Sequence, residues 1–165
     1  MKSIWFDMDG TIAELYKVEG WLTSLRSKDW SVYDRCVPRH NFQRINHAIE
    51  ALIENGWQVG VITWASNGVD WGKELDAIAE VKFNWLCKFF PALADGKFAC
   101  IPYGYSKADF LEEMGDAYTV AYLVDDNKEV RHDWRSHSCD NRNYTQYKTI
   151  NASRAYVREL EGLAG

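Results

Sequence analysis

Apolar residues recur along the chain with two different spacings, and the two spacings alternate. Residues three or four positions apart predict a helix that begins after Asn41, which we expect to cap it, and ends before Gly56. Short runs of β-branched and aromatic residues predict strands instead. The predicted strands are residues 4–6, 57–63, 98–101, 119–124 and 147–150, and the predicted helices are residues 42–55, 71–89, 106–115 and 127–134, with a last helix through Leu160.

Strands that alternate with helices indicate a parallel sheet with helices on both faces, which is the α/β class. A chain of 165 residues fits one domain, and we expect residues 1–165 to form one. The segment of residues 14–40 interrupts the alternation, because its apolar positions suit only two short amphipathic helices. It is either a packed surface excursion or a small lid, since long excursions in compact domains often carry function.

Composition narrows the class of protein and of partner. Hydrophobic residues make up 47% of the chain and charged residues 26%, which is the balance of a soluble globular protein. The net charge of −5 argues against a basic nucleic-acid scaffold, so we do not expect duplex DNA to be the main partner. No apolar stretch marks a signal peptide or a membrane span, and we therefore expect a cytoplasmic protein without a membrane partner.

Two carboxylates follow the first predicted strand, only two positions apart. Gly10 comes next and permits a sharp bend that can curl Asp9 back over Asp7. Two carboxylates about 4 Å apart repel each other by about 4 kcal/mol at an effective dielectric constant of about 20. The pair therefore predicts a cation or a shared proton between the two groups, although Asp and Gly are also ordinary turn residues.

Further polar residues follow other strands at the same edge of the predicted sheet. Thr63 ends the second strand, and Asp125 and Asp126 follow the fourth. Ligands bind at this carboxyl edge in open parallel sheets. Lys107 lies in the first turn of a predicted helix, where free backbone N–H groups already favour an anion.

In their order along the chain, these residues resemble the four motifs of the haloacid dehalogenase superfamily of phosphohydrolases. The matching motifs are, in turn, Asp7-Met8-Asp9-Gly10-Thr11, Thr63, Lys107 and Asp125-Asp126. The resemblance implies a Rossmann-like sheet with strand order 3-2-1-4-5 and a small lid. In that order the first and fourth strands are neighbours, so Asp7 and Asp125 would flank the point where the strand order reverses.

The resemblance also implies a reaction. Asp7 would attack phosphorus to form an aspartyl-phosphate, and Asp9 would protonate the leaving oxygen and then activate water. Similar dehalogenases lack an acid at the position of Asp9, so its presence favours hydrolysis of phosphate monoesters. Thr63 and Lys107 would bind the oxygens of the phosphoryl group during its transfer.

By the same resemblance the cofactor is Mg²⁺. Its ligands would be the carboxylates of Asp7 and Asp125 together with the backbone carbonyl of Asp9. Asp126 would lie behind these ligands and orient either water or Lys107.

The sequence leaves three functions open. The first is a Mg²⁺-dependent phosphatase of a small phosphorylated substrate, for which aromatic and basic residues in the segment 14–40 suggest a nucleotide. The second is a phosphatase of nucleic-acid ends, and the third is a non-catalytic binding protein with the same fold. A separate metal site at His132, His137 and Cys139 is a weaker alternative, because these residues lack the close spacing of metal ligands.

Overall fold

The structure is a computed structural model and describes residues 1–139 and 144–165. The strands in this part of the chain are β1 (Lys2–Phe6), β2 (Gln58–Trp64), β3 (Lys97–Ile101), β4 (Val120–Asp125) and β5 (Gln146–Asn151). The α-helices are α1 (Trp21–Arg26), α2 (Ser31–Asp34), α3 (Phe42–Glu54), α4 (Lys73–Phe89), α5 (Pro91–Ala94), α6 (Lys107–Glu113), α7 (Lys128–Ser136) and α8 (Val157–Ala164). No helix among these is long and apolar enough to cross a membrane.

The strands form one parallel sheet in the order β3-β2-β1-β4-β5. β1 is central, since Phe6 pairs with Val61 of β2 on one side and with Val124 of β4 on the other. The structure therefore confirms the α/β class and the strand order 3-2-1-4-5. Because every pairing is parallel, the residues that follow β1 and β4 meet at the same edge.

Alternate residues of the central strand face two separate cores. Trp5 belongs to the first core, together with Ala108 of α6 and Trp134 of α7. Ile4 and Phe6 belong to the second core, which α3, α4, α5 and α8 cover. Helices thus pack on both faces of the sheet, and a strand buried on both faces is apolar almost throughout rather than at alternate positions.

The segment of residues 14–40 contains two short helices, α1 and α2, as the apolar spacing predicts. The second of them is anchored: Val32 and Tyr33 are buried, and the indole N–H of Trp85 in α4 donates to the carbonyl oxygen of Cys36 at 2.8 Å. The first, α1, has no buried residue. The segment is therefore fixed to the core through α2, while α1 lies against it from outside.

Two details of the predicted helix starts differ from the structure. Helix α3 begins directly after Asn41, as predicted, but Asn41 adopts a left-handed conformation (φ 61°) and its side chain makes no capping hydrogen bond. The helix expected from residue 71 begins at Lys73, and Trp71 before it is 72% exposed. The cause is local: the carboxylate of Asp70 accepts from the backbone N–H of Gly72 at 2.8 Å, which holds this stretch in a turn.

Gly60 of β2 provides a test of how tightly the sheet packs. A Cβ atom at this position would lie 2.5 Å from the ring of Trp5 and 2.7 Å from the backbone oxygen of Lys97. We expect Gly60→Ala to lower the free energy of unfolding by about 1–3 kcal/mol, as over-packing does. Unfolding in urea, followed by circular dichroism, measures the change.

Gly162→Ala in α8 is the matched control for this experiment. Nothing lies within 4 Å of a Cβ atom at Gly162, and alanine is the better helix former, so stability should rise by up to about 1 kcal/mol. Equal stabilities of Gly60→Ala and the wild type would show that the sheet has room at this point.

Candidate active site

Asp7 and Asp125 lie at the ends of neighbouring strands. Asp7 extends the pairing of β1, because its backbone N–H donates to the carbonyl oxygen of Val124 at 2.9 Å, and Asp125 is the last residue of β4. One carboxylate oxygen from each of Asp7, Asp125 and Asp126 lies within 4.8 Å of the others. The sheet order alone thus gathers three acidic groups at one point of the carboxyl edge.

The chain turns sharply after Asp7. The backbone N–H groups of Thr11, Ile12 and Ala13 all donate to the carbonyl oxygen of Met8, at 2.9 to 3.0 Å. Gly10 makes the turn possible, since its φ is 77° and a Cβ atom there would lie 2.5 Å from a carboxylate oxygen of Asp126. The bend that the sequence suggests at this glycine is therefore present.

Lys107 brings a positive charge to this cluster from the first turn of α6. Ser106 caps the helix, since its hydroxyl accepts from the backbone N–H of Asp109 at 3.2 Å. The Lys107 ammonium donates to Asp7 at 2.8 Å and to Asp125 at 2.7 Å, and its side chain is only 2% exposed. Burial by itself lowers the pKa of Lys107, but the two carboxylates raise it by more, so the group remains charged.

The carboxylates of Asp125 and Asp126 are strongly perturbed. Burial is the main reason that the pKa of Asp125 rises to about 6 and that of Asp126 to about 7, and the charge of Asp7 adds to both shifts. Crowded carboxylate oxygens are the ligands that Mg²⁺ prefers, and a divalent cation would remove their mutual repulsion. The donor set therefore fits Mg²⁺, and it includes the Asp126 carboxylate beside those of Asp7 and Asp125.

In the part of the chain that the structure describes, Asp7, Asp125 and Asp126 form the only set of three side chains placed to hold a metal ion together. It includes neither His132 nor His137, and the side chain of Cys139 lies outside the described residues. His137 instead contacts Asp109 at 2.9 Å and the carbonyl oxygen of Asp133 at 3.0 Å.

Lys82 is a site residue that sequence analysis missed. Its ammonium lies 2.8 Å from an oxygen of Asp9, 3.0 Å from the hydroxyl of Thr63 and 2.8 Å from the carbonyl oxygen of Trp64. Burial lowers the pKa of Lys82, but the charge of Asp9 and the weaker effects of its other neighbours together raise it by more, so the ammonium form persists. Burial also raises the pKa of Asp9, while Lys82 lowers it in part.

The helical spacing of apolar residues in α4 could have identified Lys82 from the sequence as a buried residue. It lies four residues after Ile78 and three before Trp85, so it shares the buried face of α4 with them. A lysine is normally found on the solvated face of such a helix. A lysine in the middle of an apolar row therefore indicates that a buried anion lies opposite.

Thr63 occupies a different place from Lys107. Its side chain is fully buried and its hydroxyl accepts from Lys82. The cavity beside Asp7 is lined instead by the residues that follow β2, including Ser66, whose hydroxyl is 2.6 Å from that of Tyr33. Thr63, which the resemblance assigns to phosphate binding, is therefore not among the residues that line the cavity.

A cavity of about 480 Å³ opens over the carboxylates. Asp7, Asp9 and Lys107 form part of its polar end. The segment 14–40 and the loops after β2 and β3 form its rim, where two aromatic pairs stand, Tyr16 with Trp21 (5.1 Å between ring centres) and Trp64 with Tyr103 (5.0 Å). The volume suits a small molecule, with its charged end at the sheet and its less polar end at the rim.

The comparisons with known proteins agree with this architecture. No model of a protein family matches the chain, and no curated protein matches it in sequence. The structure is similar to the crystal structure of D,D-heptose 1,7-bisphosphate phosphatase from Burkholderia thailandensis, with a TM-score of 0.52 over 96% of this chain and 97% of that one. The two sequences are 15% identical, so the likeness concerns the fold. The chain therefore shares the fold of that phosphatase and has the Rossmann-like sheet, in the order 3-2-1-4-5, that the resemblance of its motifs implies.

Proposed function

We propose that this protein hydrolyses phosphate monoesters through an aspartyl-phosphate on Asp7, with Mg²⁺ as cofactor. The observation that carries the proposal is the setting of the Asp7 carboxylate, which lines the cavity beside the buried ammonium of Lys107 and next to two further carboxylates. The similarity in fold to a phosphatase supports the same reading.

The reaction has two steps. Lys107 holds one oxygen of Asp7, and the other oxygen attacks phosphorus as the bond to the leaving oxygen breaks. Asp9, which also lines the cavity, gives its proton to the leaving oxygen. In the second step Asp9 takes a proton from a water molecule that attacks the same phosphorus, and inorganic phosphate leaves while the Asp7 carboxylate is regenerated.

Positive charge is needed because a phosphate dianion approaches a carboxylate. Lys107 supplies one such charge from a side chain that is almost closed to water, where electrostatic stabilisation is strong. When bound, Mg²⁺ would be held by Asp7, Asp125 and Asp126 and would supply further positive charge to the phosphoryl oxygens. Asp126 also accepts from the hydroxyl of Thr11 at 3.4 Å, which helps to orient its carboxylate.

From the residues at the rim of the cavity, we infer that the substrate is a nucleotide. The exposed ring of Tyr103 lies against Trp64, and Tyr16 lies against Trp21, and all four residues line the cavity. Rings of this kind stack on a planar base. Arg26 stands on the same rim and adds positive charge that attracts an anionic substrate.

The nucleophile and the acid are tested by two isosteric substitutions. Asp7→Asn should abolish turnover, because an amide is a poor nucleophile. Asp9→Asn should slow hydrolysis of an alkyl phosphate by about 100- to 10,000-fold and that of 4-nitrophenyl phosphate much less, because a good leaving group needs no proton. Phosphate release measures both rates.

The control for these variants is Asp95→Asn, which changes an exposed carboxylate that does not line the cavity. It should keep full activity, and circular dichroism should show the same fold in all three variants. Turnover that survives in Asp7→Asn would rule out Asp7 as the nucleophile, and equal slowing of both substrates in Asp9→Asn would rule out its acid role.

Metal dependence gives a second test. Excess chelator should eliminate activity, and Asp125→Ala should raise the Mg²⁺ concentration needed for half-maximal rate by at least about 10-fold, because one anionic ligand is lost. Mg²⁺ at 100 times its Kd should also stabilise the wild type by about 2.7 kcal/mol, which thermal unfolding detects without any substrate. Full activity in excess chelator would contradict the proposal.

Substrate choice is tested with a panel of phosphate monoesters. Nucleoside monophosphates should have a higher kcat/KM than sugar phosphates of equal charge, by roughly 5- to 150-fold if stacking contributes about 1–3 kcal/mol. Trp21→Ala and Tyr103→Ala should each narrow the difference. Trp71→Ala is the control, since Trp71 is exposed but does not line the cavity. A preference for sugar phosphates would end the nucleotide proposal.

A further inference from the structure

Lys82 has no part in the reaction as described so far, although it is among the most deeply buried charges at the site. Its side chain is 1% exposed and reaches the carboxyl edge from α4. We propose that Lys82 is a positioning residue that holds Asp9 in the orientation needed for proton transfer, and that Thr63 acts through Lys82 rather than on the substrate. This inference rests on the proposed phosphatase function and on the acid role of Asp9 within it.

The three hydrogen bonds of Lys82 fix its position. An ammonium group has three N–H donors, and three acceptors surround this one: Asp9, the Thr63 hydroxyl and the Trp64 carbonyl. The ring of Tyr33 lies 4.6 Å from the same nitrogen and closes the remaining side. Every donor is thus used within the protein, and Lys82 is not among the residues that line the cavity. Lys82 is therefore not placed to bind phosphate itself.

The same contacts tie Asp9 to the sheet. Asp9 belongs to the turn after β1, whereas Thr63 and Trp64 belong to the end of β2. Lys82 joins the two and engages one oxygen of Asp9, namely Oδ2. Among the described residues no hydrogen-bond partner is found for the other oxygen, Oδ1, which is thus left for the proton that passes to the leaving group.

Stability does not explain a lysine at this position. Its neighbours on the buried face of α4, Ile78, Trp85 and Leu86, are apolar and almost fully buried. Removing two charges from water is unfavourable, and well-packed apolar residues in place of a buried ion pair are often as stable or more so. A role in holding Asp9 accounts for the lysine, because fixing a catalytic group in its reactive orientation lowers the barrier to reaction.

The test compares leaving groups in Lys82→Met, which keeps the length of the side chain and removes the charge. The value of kcat/KM for an alkyl phosphate should fall by about 100-fold, and that for 4-nitrophenyl phosphate by less than about 10-fold, since only the first reaction needs a proton from Asp9. Lys88→Met is the matched control. It removes an exposed lysine from the same helix and should leave both rates unchanged.

A double variant separates positioning from a structural role. If Lys82 acts through Asp9, then Asp9→Asn with Lys82→Met should be no slower on the alkyl phosphate than Asp9→Asn alone. If Lys82 only supports the fold, the two losses multiply and both substrates slow alike. Losses that multiply in the double variant, or equal slowing of both substrates, would overturn the proposal.

Thr63→Val keeps the inference testable if Lys82→Met does not fold. This variant removes one acceptor of Lys82 at nearly constant volume. It should slow the alkyl phosphate selectively, whereas equal slowing of both substrates would assign Thr63 to phosphate binding and reject the proposal. Asp7→Asn, measured in parallel, tests the phosphatase function itself. An inactive wild type or an active Asp7→Asn would overturn that function. If the wild type is active and Asp7→Asn is inactive, equal slowing of the two substrates in Thr63→Val would overturn only the role of Lys82.

Discussion

Charge balance at the carboxyl edge of the sheet is the constraint on which the rest of the site depends. Four carboxylates meet there with two buried ammonium groups; these belong to Asp7, Asp9, Asp125 and Asp126, and to Lys82 and Lys107. If all six are ionised, the site has a net charge of −2, which one divalent cation would offset. Without the two lysines, burial would drive the carboxylates towards their neutral forms, and a neutral Asp7 would be no nucleophile.

The two lysines reach this point from opposite faces of the sheet. Lys107 begins α6, which packs in the core around Trp5, and Lys82 lies on α4, which packs in the core around Phe6. Each lysine engages a different carboxylate of the first motif, Asp7 or Asp9. The sheet therefore separates the two supports, one for the proposed nucleophile and one for the proposed acid. Because helices cover both faces, both ammonium groups are shielded from water, and water therefore weakens their attraction to the carboxylates only slightly.

The segment 14–40 contributes to the site in two ways. Its anchored part reaches the interior, since Tyr33 lies over the Lys82 ammonium and its hydroxyl meets that of Ser66. Its outer part, α1, contributes Trp21 and Arg26 to the cavity rim. The segment is too short to form a core of its own. Its helix α2 therefore packs on the core of the sheet, while its helix α1 lies at the cavity.

Local pattern was enough to predict the architecture. The alternation of strand and helix spacing, the glycine after Asp9 and the acidic pair after the fourth strand predict the sheet and the edge that carries the polar residues. These features depend on residues close together in sequence, where side-chain period and turn chemistry decide the conformation. The helix start predicted at residue 71 was wrong because the Asp70 side chain holds that stretch in a turn, and the side-chain cap predicted at Asn41 is absent because its backbone is left-handed.

Tertiary structure decided which side chains meet. Lys82 and Asp9 are 73 positions apart, and no local rule links a lysine within a helix to a carboxylate in a distant turn. Their contact arises because α4 packs its apolar face on the sheet and so carries one charged group inward with it. The sequence pattern by itself thus determined the parallel sheet and the edge where polar groups collect, and the resemblance supplied the strand order, while only the packing of α4 decided that Thr63 faces Lys82 instead of the cavity.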